Sequence, residues 1–321
     1  MATVVSSTVL PFDAETVLGP GVEYIAPDSG SWSREHLLAT LSELQPEGLI
    51  VPLTERVDRE LLEASEKLRV VGNFAVGYDN VDLATATSRQ VVVANTPGVL
   101  TDATADFAFA LLLGIARRLV EGHGMVASGN WTGFAPNQLL GAAVSGATLG
   151  IVGLGRIGKA VARRARGFGM EVIYSGNPKV EASLLGARHV DSDTLFKESD
   201  FVSLHCPLTK ETENLVNQNT LSLMKTSAFL VNTARGRCVD EVALFDALKN
   251  RRIAGAALDV FAREPLIEEG LSELPNVLLA PHAGSATRTA RARMGELCAR
   301  AVAAVFRGVA PSNALNPEAM V

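Results

Sequence analysis

The feature that most constrains the fold is a set of three glycines placed directly after an apolar segment. Gly153, Gly155 and Gly158 follow the apolar run 147–152 and open a helix-like segment, 156–169. Between a strand and a helix, such glycines permit a tight turn, a close approach of the backbone to a pyrophosphate, and close helix–strand packing. The first amides and the dipole of the helix then favour phosphate. In this context a glycine-rich surface turn is the weaker alternative, and the motif predicts a dinucleotide-binding domain.

The segment that would contact the adenosine ribose lacks an acidic residue. An NAD site usually has a carboxylate about twenty residues after the first glycine. Here the segment reads Tyr-Ser-Gly-Asn-Pro-Lys, and no carboxylate precedes Glu181. Ser175, Asn177 and Lys179 favour a 2′-phosphate, with Arg156 as a second cation. We therefore expect NADP(H) as the preferred cofactor and NAD(H) as a possible one; a solvated turn is the alternative interpretation.

Length and composition are typical of a two-domain α/β protein. The chain has 321 residues, of which 47% are hydrophobic and only 5% aromatic. A net charge of −6 without a Lys/Arg-rich run argues against nucleic acid as a partner. The longest apolar run, 107–116, is too short to span a membrane, and the first ten residues do not resemble a signal peptide.

The spacing of the three cysteines indicates the redox compartment of the protein and whether it binds a metal. Cys206, Cys238 and Cys298 show neither paired nor metal-like spacing. We therefore expect a cytoplasmic protein without a metal site.

Apolar runs and helix-like segments alternate in two sets along the chain. Amphipathic segments in the first set include 33–44 and 57–66, and six strands of the second set fit one doubly wound sheet. Segment 103–119 is apolar nearly all round and is expected to be a buried helix that bridges the domains. A last helix, 289–306, is expected to pack back on the first domain. The predicted strands are 8–12, 48–53, 70–74 and 91–95, then 149–152, 171–174, 201–205, 228–232, 255–258 and 277–280.

The predicted fold class is therefore α/β, with two Rossmann-like or flavodoxin-like doubly wound domains. We expect a discontinuous substrate-binding domain, 1–99 plus 287–321. A dinucleotide-binding Rossmann domain would occupy 100–286.

Further motifs accompany the glycines in a fixed order. They are Val-Gly-Tyr-Asp-Asn-Val-Asp at 76–82, His-Cys-Pro-Leu at 205–208, Asn-Thr-Ala-Arg-Gly at 232–236, Leu-Asp-Val-Phe-Ala-Arg-Glu-Pro at 258–265 and Pro-His-Ala-Gly-Ser-Ala-Thr at 281–287. With them the chain resembles the D-isomer-specific 2-hydroxyacid dehydrogenases, particularly the glyoxylate/hydroxypyruvate reductase branch. The resemblance implies hydride transfer between a nicotinamide cofactor and C2 of a small 2-oxo or 2-hydroxy acid, in a cleft between the two domains.

Three residues in these motifs fit the chemistry of 2-oxo acid reduction. The reaction needs a cation for the carboxylate, a proton donor for the carbonyl oxygen and a hydride source. Arg235 would clamp the carboxylate with its fork of donors, and His282 would protonate the oxygen. Glu264 would favour the imidazolium form of His282 and fix its ring. Each residue alone also fits a structural role, but their order within the family motifs favours catalysis.

The resemblance extends to the cofactor and substrate sites. The backbone amides of Val76 and Gly77 would bind the substrate carboxylate beside Arg235, and Leu53 would line the pocket. A phosphite-oxidising branch has lysine in place of Val76, so that activity is not expected. His36, His123, His189 and His205 are expected to be structural. The predicted cofactor-binding residues are Thr104, Gly153, Gly155, Arg156, Ile157, Gly158, Ser175, Asn177, Lys179, Pro207, Thr212, Thr233, Ala234 and Asp259.

The quaternary structure and one alternative function also follow from the resemblance. In the reductase branch an aromatic pair before the glycine motif reaches the active site of the partner subunit, and Trp131 and Phe134 occupy that segment here. Phe134 stands where the branch often has a second tryptophan, which leaves a simple dimer-core contact as an equal alternative. We expect a homodimer. Some relatives are corepressors that sense nucleotide state and bind proteins, and such a binding module is the alternative function.

Overall fold

The computed structural model describes residues 1–320, except for the side chain of Val180. The chain divides into two compact units. Unit 1 is Met1–Leu100 with Ala286–Val321, and unit 2 is Thr101–Ser285. Over residues 1–320, no helix combines the length and the apolar character needed to cross a bilayer. In the same range, no cluster of His, Cys, Asp or Glu side chains is arranged to hold a metal ion.

Unit 1 contains a five-stranded parallel sheet in the order β2-β1-β3-β4-β5. This is the flavodoxin-like doubly wound order, and its central strands are buried. The strands are β1 (Ala2–Ser6), β2 (Val22–Ile25), β3 (Gly48–Pro52), β4 (Val70–Phe74) and β5 (Val92–Ala94). The helices are α1 (Ala14–Leu18), α2 (Arg34–Leu44), α3 (Arg59–Glu63), α4 (Leu83–Ser88) and, from the end of the chain, α11 (Arg288–Phe306).

The predicted strand at 8–12 is wrong, because the first strand is β1 and residues 8–12 form a loop after it. Leu10 is buried and Phe12 packs on the same core, so the apolar side chains cover the sheet instead of extending it. Pro11 also has no N–H for a strand ladder. Strand β2 was not predicted, since its residues are half-exposed at the edge of the sheet.

Helix α11 lies against the sheet of unit 1 at very short range. A Cβ added to Gly48 would lie 2.9 Å from Val302, and one added to Gly72 would lie 2.9 Å from Cys298. The helix begins at the N-cap Thr287, whose side chain accepts a hydrogen bond from the Ala290 N–H. Glycine in β3 and β4 therefore permits the close packing of α11.

Unit 2 contains a seven-stranded parallel sheet in the order β12-β11-β10-β9-β6-β7-β8. Within this unit the order is that of a Rossmann sheet with one added strand, so the predicted fold class is confirmed for both sheets. The strands are β6 (Thr148–Val152), β7 (Glu171–Ser175), β8 (Ala187–His189), β9 (Phe201–Leu204), β10 (Phe229–Asn232), β11 (Gly255–Leu258) and β12 (Val277–Leu279). The helices are α5 (Thr101–Ala116), α6 (Leu119–Ala127), α7 (Arg156–Gly167), α8 (Ser192–Glu198), α9 (Gln218–Leu223) and α10 (Glu241–Lys249).

The strand order of unit 2 reverses at β6, which pairs with β7 on one side and β9 on the other. Ligands of doubly wound sheets bind at the carboxyl ends of the strands at such a reversal. The register aligns the ends of β6, β7 and β9, and it aligns the ends of β10, β11 and β12 in the same way. The loops that carry the predicted site residues of unit 2 consequently lie along one edge of one sheet.

Helix α5 is buried on most of its surface, as its composition predicted. It packs on α7 and on the sheet, where a Cβ at Gly114 would lie 2.8 Å from Leu278. The predicted helix 103–119 ends earlier, because Arg118 has a left-handed backbone conformation with φ of 53°. Helix α6 starts after it, and none of the nine residues of α6 is buried.

Candidate cofactor and catalytic site

The glycine turn after β6 has the geometry that its sequence predicts. Gly153 has φ of 92°, and an added Cβ would lie 2.9 Å from the backbone of Cys206. A Cβ at Gly158 would collide with the Gly153 carbonyl oxygen and lie 3.2 Å from Ile151. A Cβ at Gly155 would meet no protein atom of residues 1–320 within 4 Å. Gly153 and Gly158 thus pack closely against other protein atoms, whereas Gly155 faces open space.

The segment after β7 and the start of α7 place three polar side chains at the surface. Asn177, Lys179 and Arg156 are exposed, whereas Ser175 is buried at the end of the strand. The Lys179 N–H donates to the Tyr174 hydroxyl at 2.9 Å, which ties the turn to the strand. Asn177 and Lys179 of this segment, with Arg156 at the start of α7, can receive an anion.

The loop after β9 is held by its own threonine. The Thr212 hydroxyl donates to the Pro207 carbonyl oxygen at 2.6 Å and accepts from the Thr209 N–H at 2.8 Å. His205 lies 2.9 Å from the Ser203 hydroxyl, and burial lowers the pKa of His205 to about 4. His205 is therefore uncharged at neutral pH.

Arg235 lies in a loop that a buried asparagine fixes. The Asn232 amide donates to the Arg235 carbonyl oxygen at 2.9 Å and accepts from the Ala234 N–H at 3.0 Å. The guanidinium of Arg235 donates to the Ala234 carbonyl oxygen at 2.8 Å. A Cβ at Gly236 would collide with the backbone of Phe261, so this loop touches the loop after β11 directly.

His282 and Glu264 form a hydrogen-bonded pair. The distance from His282 Nδ1 to Glu264 Oε2 is 2.8 Å, and the two side chains are 34% and 27% exposed. The other carboxylate oxygen of Glu264 accepts from the Phe261 N–H at 3.0 Å. Burial raises the pKa of Glu264, but the hydrogen bonds from His282 and Phe261 and the charge of Arg235 outweigh it and leave this pKa below its usual value. Glu264 is ionised near neutral pH and orients the imidazole.

Asp259 holds the loop that carries His282. Its carboxylate accepts from the N–H groups of Ala283 and Gly284 at 2.6 and 2.8 Å, and its carbonyl oxygen accepts from the His282 N–H at 2.8 Å. Burial raises the pKa of Asp259, and the two N–H donors oppose this only in part. His282 has φ of 52°, so the loop adopts a left-handed conformation that these bonds stabilise. Sequence reasoning assigned Asp259 to the cofactor and missed this contact.

Glu241, at the start of α10, is a buried acid that sequence reasoning also missed. Its carboxylate accepts from the Ala262 N–H at 2.7 Å, and burial raises its pKa. Ala262 follows Phe261, which donates to Glu264. No motif in the sequence links these residues, because the contact joins positions 21 apart through one backbone group.

The remaining predicted cofactor residues lie along the same edge of unit 2. Thr104 is buried on α5, and Ile157 is half-buried at the start of α7. Thr233 and Ala234 are half-buried in the loop after β10. The Thr233 hydroxyl is buried, and no hydrogen-bond partner for it exists within residues 1–320. A buried hydroxyl without a protein partner and the open space at Gly155 both fit a polar ligand at this edge.

The predicted substrate residues lie in unit 1. Val76 and Gly77 are half-buried in the loop after β4, and Leu53 is half-buried in the turn after β3. The Val76 carbonyl oxygen accepts from the Asn95 amide, and the Gly77 carbonyl oxygen accepts from the Asn73 amide. All three residues follow carboxyl ends of parallel strands, the edge where such sheets bind ligands.

Known proteins resemble the chain over nearly all of its length. A family model for the NAD binding domain of D-isomer specific 2-hydroxyacid dehydrogenases matches residues 109–284. A glyoxylate reductase of Thermococcus litoralis is 52% identical over 281 residues, 85% of this chain and 85% of that protein. The chain belongs to the D-isomer-specific 2-hydroxyacid dehydrogenase family.

Two solved structures resemble the chain over nearly its whole length. A protein of Thermus thermophilus is 42% identical, with a TM-score of 0.91 over 98% of this chain and 99% of that one. An NADPH-dependent glyoxylate/hydroxypyruvate reductase of Sinorhizobium meliloti, in complex with citrate, is 31% identical, with a TM-score of 0.84 over 99% of each chain. The predicted family is confirmed. The chain is an NAD(P)-dependent dehydrogenase of a small 2-oxo or 2-hydroxy acid.

Proposed function

We propose that this dehydrogenase reduces glyoxylate and hydroxypyruvate to 2-hydroxy acids of D configuration, with NADPH preferred over NADH. The observation that carries the proposal is the His282–Glu264 pair at 2.8 Å, on the sheet edge that also carries Arg235 and the glycine turn. Relatives about 50% identical over most of the chain are glyoxylate reductases. Their names favour an enzyme over the alternative, a nucleotide-sensing module that recruits proteins.

Each residue of the pair has a separate role in this proposal. His282 donates a proton from its ring to the carbonyl oxygen, and Glu264 orients the ring through its contact with Nδ1. Arg235 binds the substrate carboxylate with two parallel N–H donors and polarises the carbonyl group. In unit 1, Leu53 contacts the substrate and the amides of Val76 and Gly77 bind its carboxylate.

The residues along the edge of unit 2 fit a dinucleotide. The open space at Gly155 and the first amides of α7 suit a pyrophosphate, and the Thr233 hydroxyl lacks a protein partner within residues 1–320. When bound, the reduced nicotinamide supplies the hydride to C2 of the oxo acid. Thr104, Ile157, Pro207, Thr212, Ala234 and Asp259 complete the proposed set.

The preference for NADPH rests on the segment after β7 and on the first residue of α7. Asn177, Lys179 and Arg156 are exposed and suit a 2′-phosphate, and no carboxylate follows Tyr174 before Glu181. Ser175 is buried, so it would contribute from the end of the strand. We expect a higher kcat/KM with NADPH than with NADH; equal or better efficiency with NADH would contradict the preference.

We also propose a homodimer and a cytoplasmic location. Trp131 and Phe134 are 52% and 88% exposed, and α6 buries none of its own residues, so an apolar surface remains that a second copy would cover. Sedimentation of the wild type and of a Trp131→Ser, Phe134→Ser variant tests the dimer; an unchanged monomer mass in both would contradict it. The spacing of the three cysteines, which is neither paired nor metal-like, fits a reducing compartment.

The test of the function is a steady-state panel followed at the nicotinamide absorbance band. Glyoxylate, hydroxypyruvate, pyruvate and bulkier 2-oxo acids are compared with both cofactors. We expect turnover of glyoxylate and hydroxypyruvate, with His282→Ala lowering kcat by roughly 10² to 10⁴. His36 is an exposed histidine whose ring packs at a tilt against Trp32, so His36→Ala serves as the control and should leave kcat unchanged. A folded wild type without activity on any 2-oxo acid would favour the binding-module alternative.

A further inference from the structure

The loop after β4 has three successive carbonyl groups fixed by donors of unit 1. The Ala75 carbonyl oxygen accepts from the Thr96 N–H at 2.8 Å. The Val76 carbonyl oxygen accepts from the Asn95 amide at 2.7 Å, and that of Gly77 accepts from the Asn73 amide at 2.9 Å. Two of the three donors are therefore asparagine side chains, on or directly after neighbouring strands.

These bonds determine where the amide hydrogens of the loop point. In a trans peptide the C=O of one residue and the N–H of the next point in opposite directions, and the bonds of this loop are trans. Fixing the carbonyl groups of residues 75, 76 and 77 turns the N–H groups of Val76, Gly77 and Tyr78 the other way. Within residues 1–320, none of these three N–H groups donates to a protein acceptor. Successive outward N–H groups form a concave site for an anion.

Asn73 is fully buried and is itself fixed by a second asparagine. Its Oδ1 accepts from the Asn80 amide at 3.1 Å, and Asn80 also donates to the Glu55 carbonyl oxygen at 2.8 Å. Glu55 belongs to the turn that contains Leu53, since its N–H donates to the Pro52 carbonyl oxygen at 3.0 Å. A buried amide with satisfied bonds has one low-energy orientation, so Asn73 acts as a rigid support.

We propose that Asn73 and Asn95 are positioning residues that aim the N–H groups of Val76, Gly77 and Tyr78 at the substrate carboxylate. The proposal rests on the proposed reduction of 2-oxo acids. It adds the Tyr78 N–H as a third donor and assigns a cause to the orientation of all three. Neither asparagine touches the substrate in this arrangement.

The first test replaces each of the two asparagines by aspartate, which removes the N–H donor of the side chain and keeps the side-chain volume. In Asn73→Asp the Gly77 carbonyl oxygen faces a carboxylate oxygen, and in Asn95→Asp the Val76 carbonyl oxygen does, so the loop turns away. Each variant should raise the KM for glyoxylate and the inhibition constant of oxalate by about tenfold, the effect of one lost charge-assisted hydrogen bond. The Kd for NADPH should not change, and kcat should fall by no more than about threefold.

Asn316→Asp is the matched control. Asn316 is equally buried in unit 1, but its side-chain amide forms hydrogen bonds with Thr87, Val91 and Val93 instead of with the loop. It should lower the midpoint of thermal unfolding as Asn73→Asp does, while the KM for glyoxylate stays at the wild-type value. Equal KM changes in Asn316→Asp and Asn73→Asp would overturn the proposal, because the effect would then be loss of stability.

A second test observes the amides of the wild-type protein by NMR during titration of the NADP⁺ complex with oxalate. Hydrogen bonds to a carboxylate should move the amide proton resonances of Val76, Gly77 and Tyr78 downfield. Unchanged resonances, with oxalate still inhibiting, would overturn the proposal. Shifted resonances without turnover of any 2-oxo acid would support the orientation of the loop and contradict the proposed function, so the two failures are distinguishable.

Discussion

Two alanine substitutions in the glycine turn are expected to affect different properties, Gly158→Ala the stability of the fold and Gly155→Ala the binding of the cofactor. In Gly158→Ala the new methyl group collides with the Gly153 carbonyl oxygen and lies 3.2 Å from Ile151. Backbone atoms of a tight turn cannot move aside without displacing α7. Such overpacking costs about 1–3 kcal/mol, which corresponds to a fall of roughly 2–12 °C in the unfolding midpoint for a domain of this size.

Gly155→Ala should leave the fold intact and weaken cofactor binding. Its added methyl group meets no atom of residues 1–320 within 4 Å, and φ of −78° suits alanine. The free energy of unfolding should change by less than about 1 kcal/mol. The methyl group lies where the pyrophosphate would approach, and one lost hydrogen bond to phosphate raises Kd by roughly 10- to 100-fold.

Circular dichroism melts and fluorescence titration with NADPH measure both effects. Gly167→Ala, on the same helix and also without an atom within 4 Å in residues 1–320, is the control and should retain the wild-type Kd. Wild-type affinity in Gly155→Ala would refute the position assigned to the pyrophosphate. A wild-type melting midpoint in Gly158→Ala would refute the packing argument.

Four other substitutions test single residues. Ser175→Asp should repel the 2′-phosphate, so that kcat/KM with NADH exceeds that with NADPH; an unchanged ratio would contradict the phosphate site. Arg235→Lys keeps the charge but loses the paired donors, so 2-oxo acids should bind about tenfold more weakly, with slower turnover and an unchanged Kd for NADPH. Wild-type inhibition of that variant by oxalate would remove Arg235 from the substrate site. Glu264→Gln should move the alkaline limb of the pH profile for reduction to lower pH, since glutamine does not stabilise a positive imidazole; an unchanged profile would exclude Glu264 from the mechanism. Burial raises the pKa of Glu241, so the native state loses stability as the pH rises above 4.5, the usual value. Glu241→Gln keeps the acceptor for Ala262 and should be more stable than the wild type at pH 7 but not at pH 4; equal melting midpoints at pH 7 would contradict this.

Local patterns in the sequence predicted most of the fold. The glycine turn, the six strands predicted for unit 2 and α11 agree with the structure to within a few residues, because their apolar runs become buried elements. The edge strands β2 and β8 were missed, since half-exposed or polar residues form them. The run at 8–12 was mistaken for a strand, because burial of Leu10 and Phe12 in a loop gives the same apolar signal.

The candidate site was also predicted only in part. Arg235, Glu264 and His282 were predicted from motifs, and the structure brings the last two into contact. The groups that hold them, Asn232 and Glu241, were not predicted. These side chains form hydrogen bonds with backbone groups, and every residue of any sequence has a backbone. Only the folded structure shows which backbone groups form hydrogen bonds with these side chains.

Unit 1 is formed by two segments that are far apart in the sequence, and this affects the order in which the chain folds during synthesis. Cys298, Val302 and Val305 of α11 share a core with Val4 and Ile50, so one face of the first sheet stays uncovered until α11 leaves the ribosome. Unit 2 is continuous and can complete its core earlier. We therefore expect the nascent chain to fold its middle before its beginning, and truncations that remove α11 to leave unit 1 prone to aggregation while unit 2 stays folded.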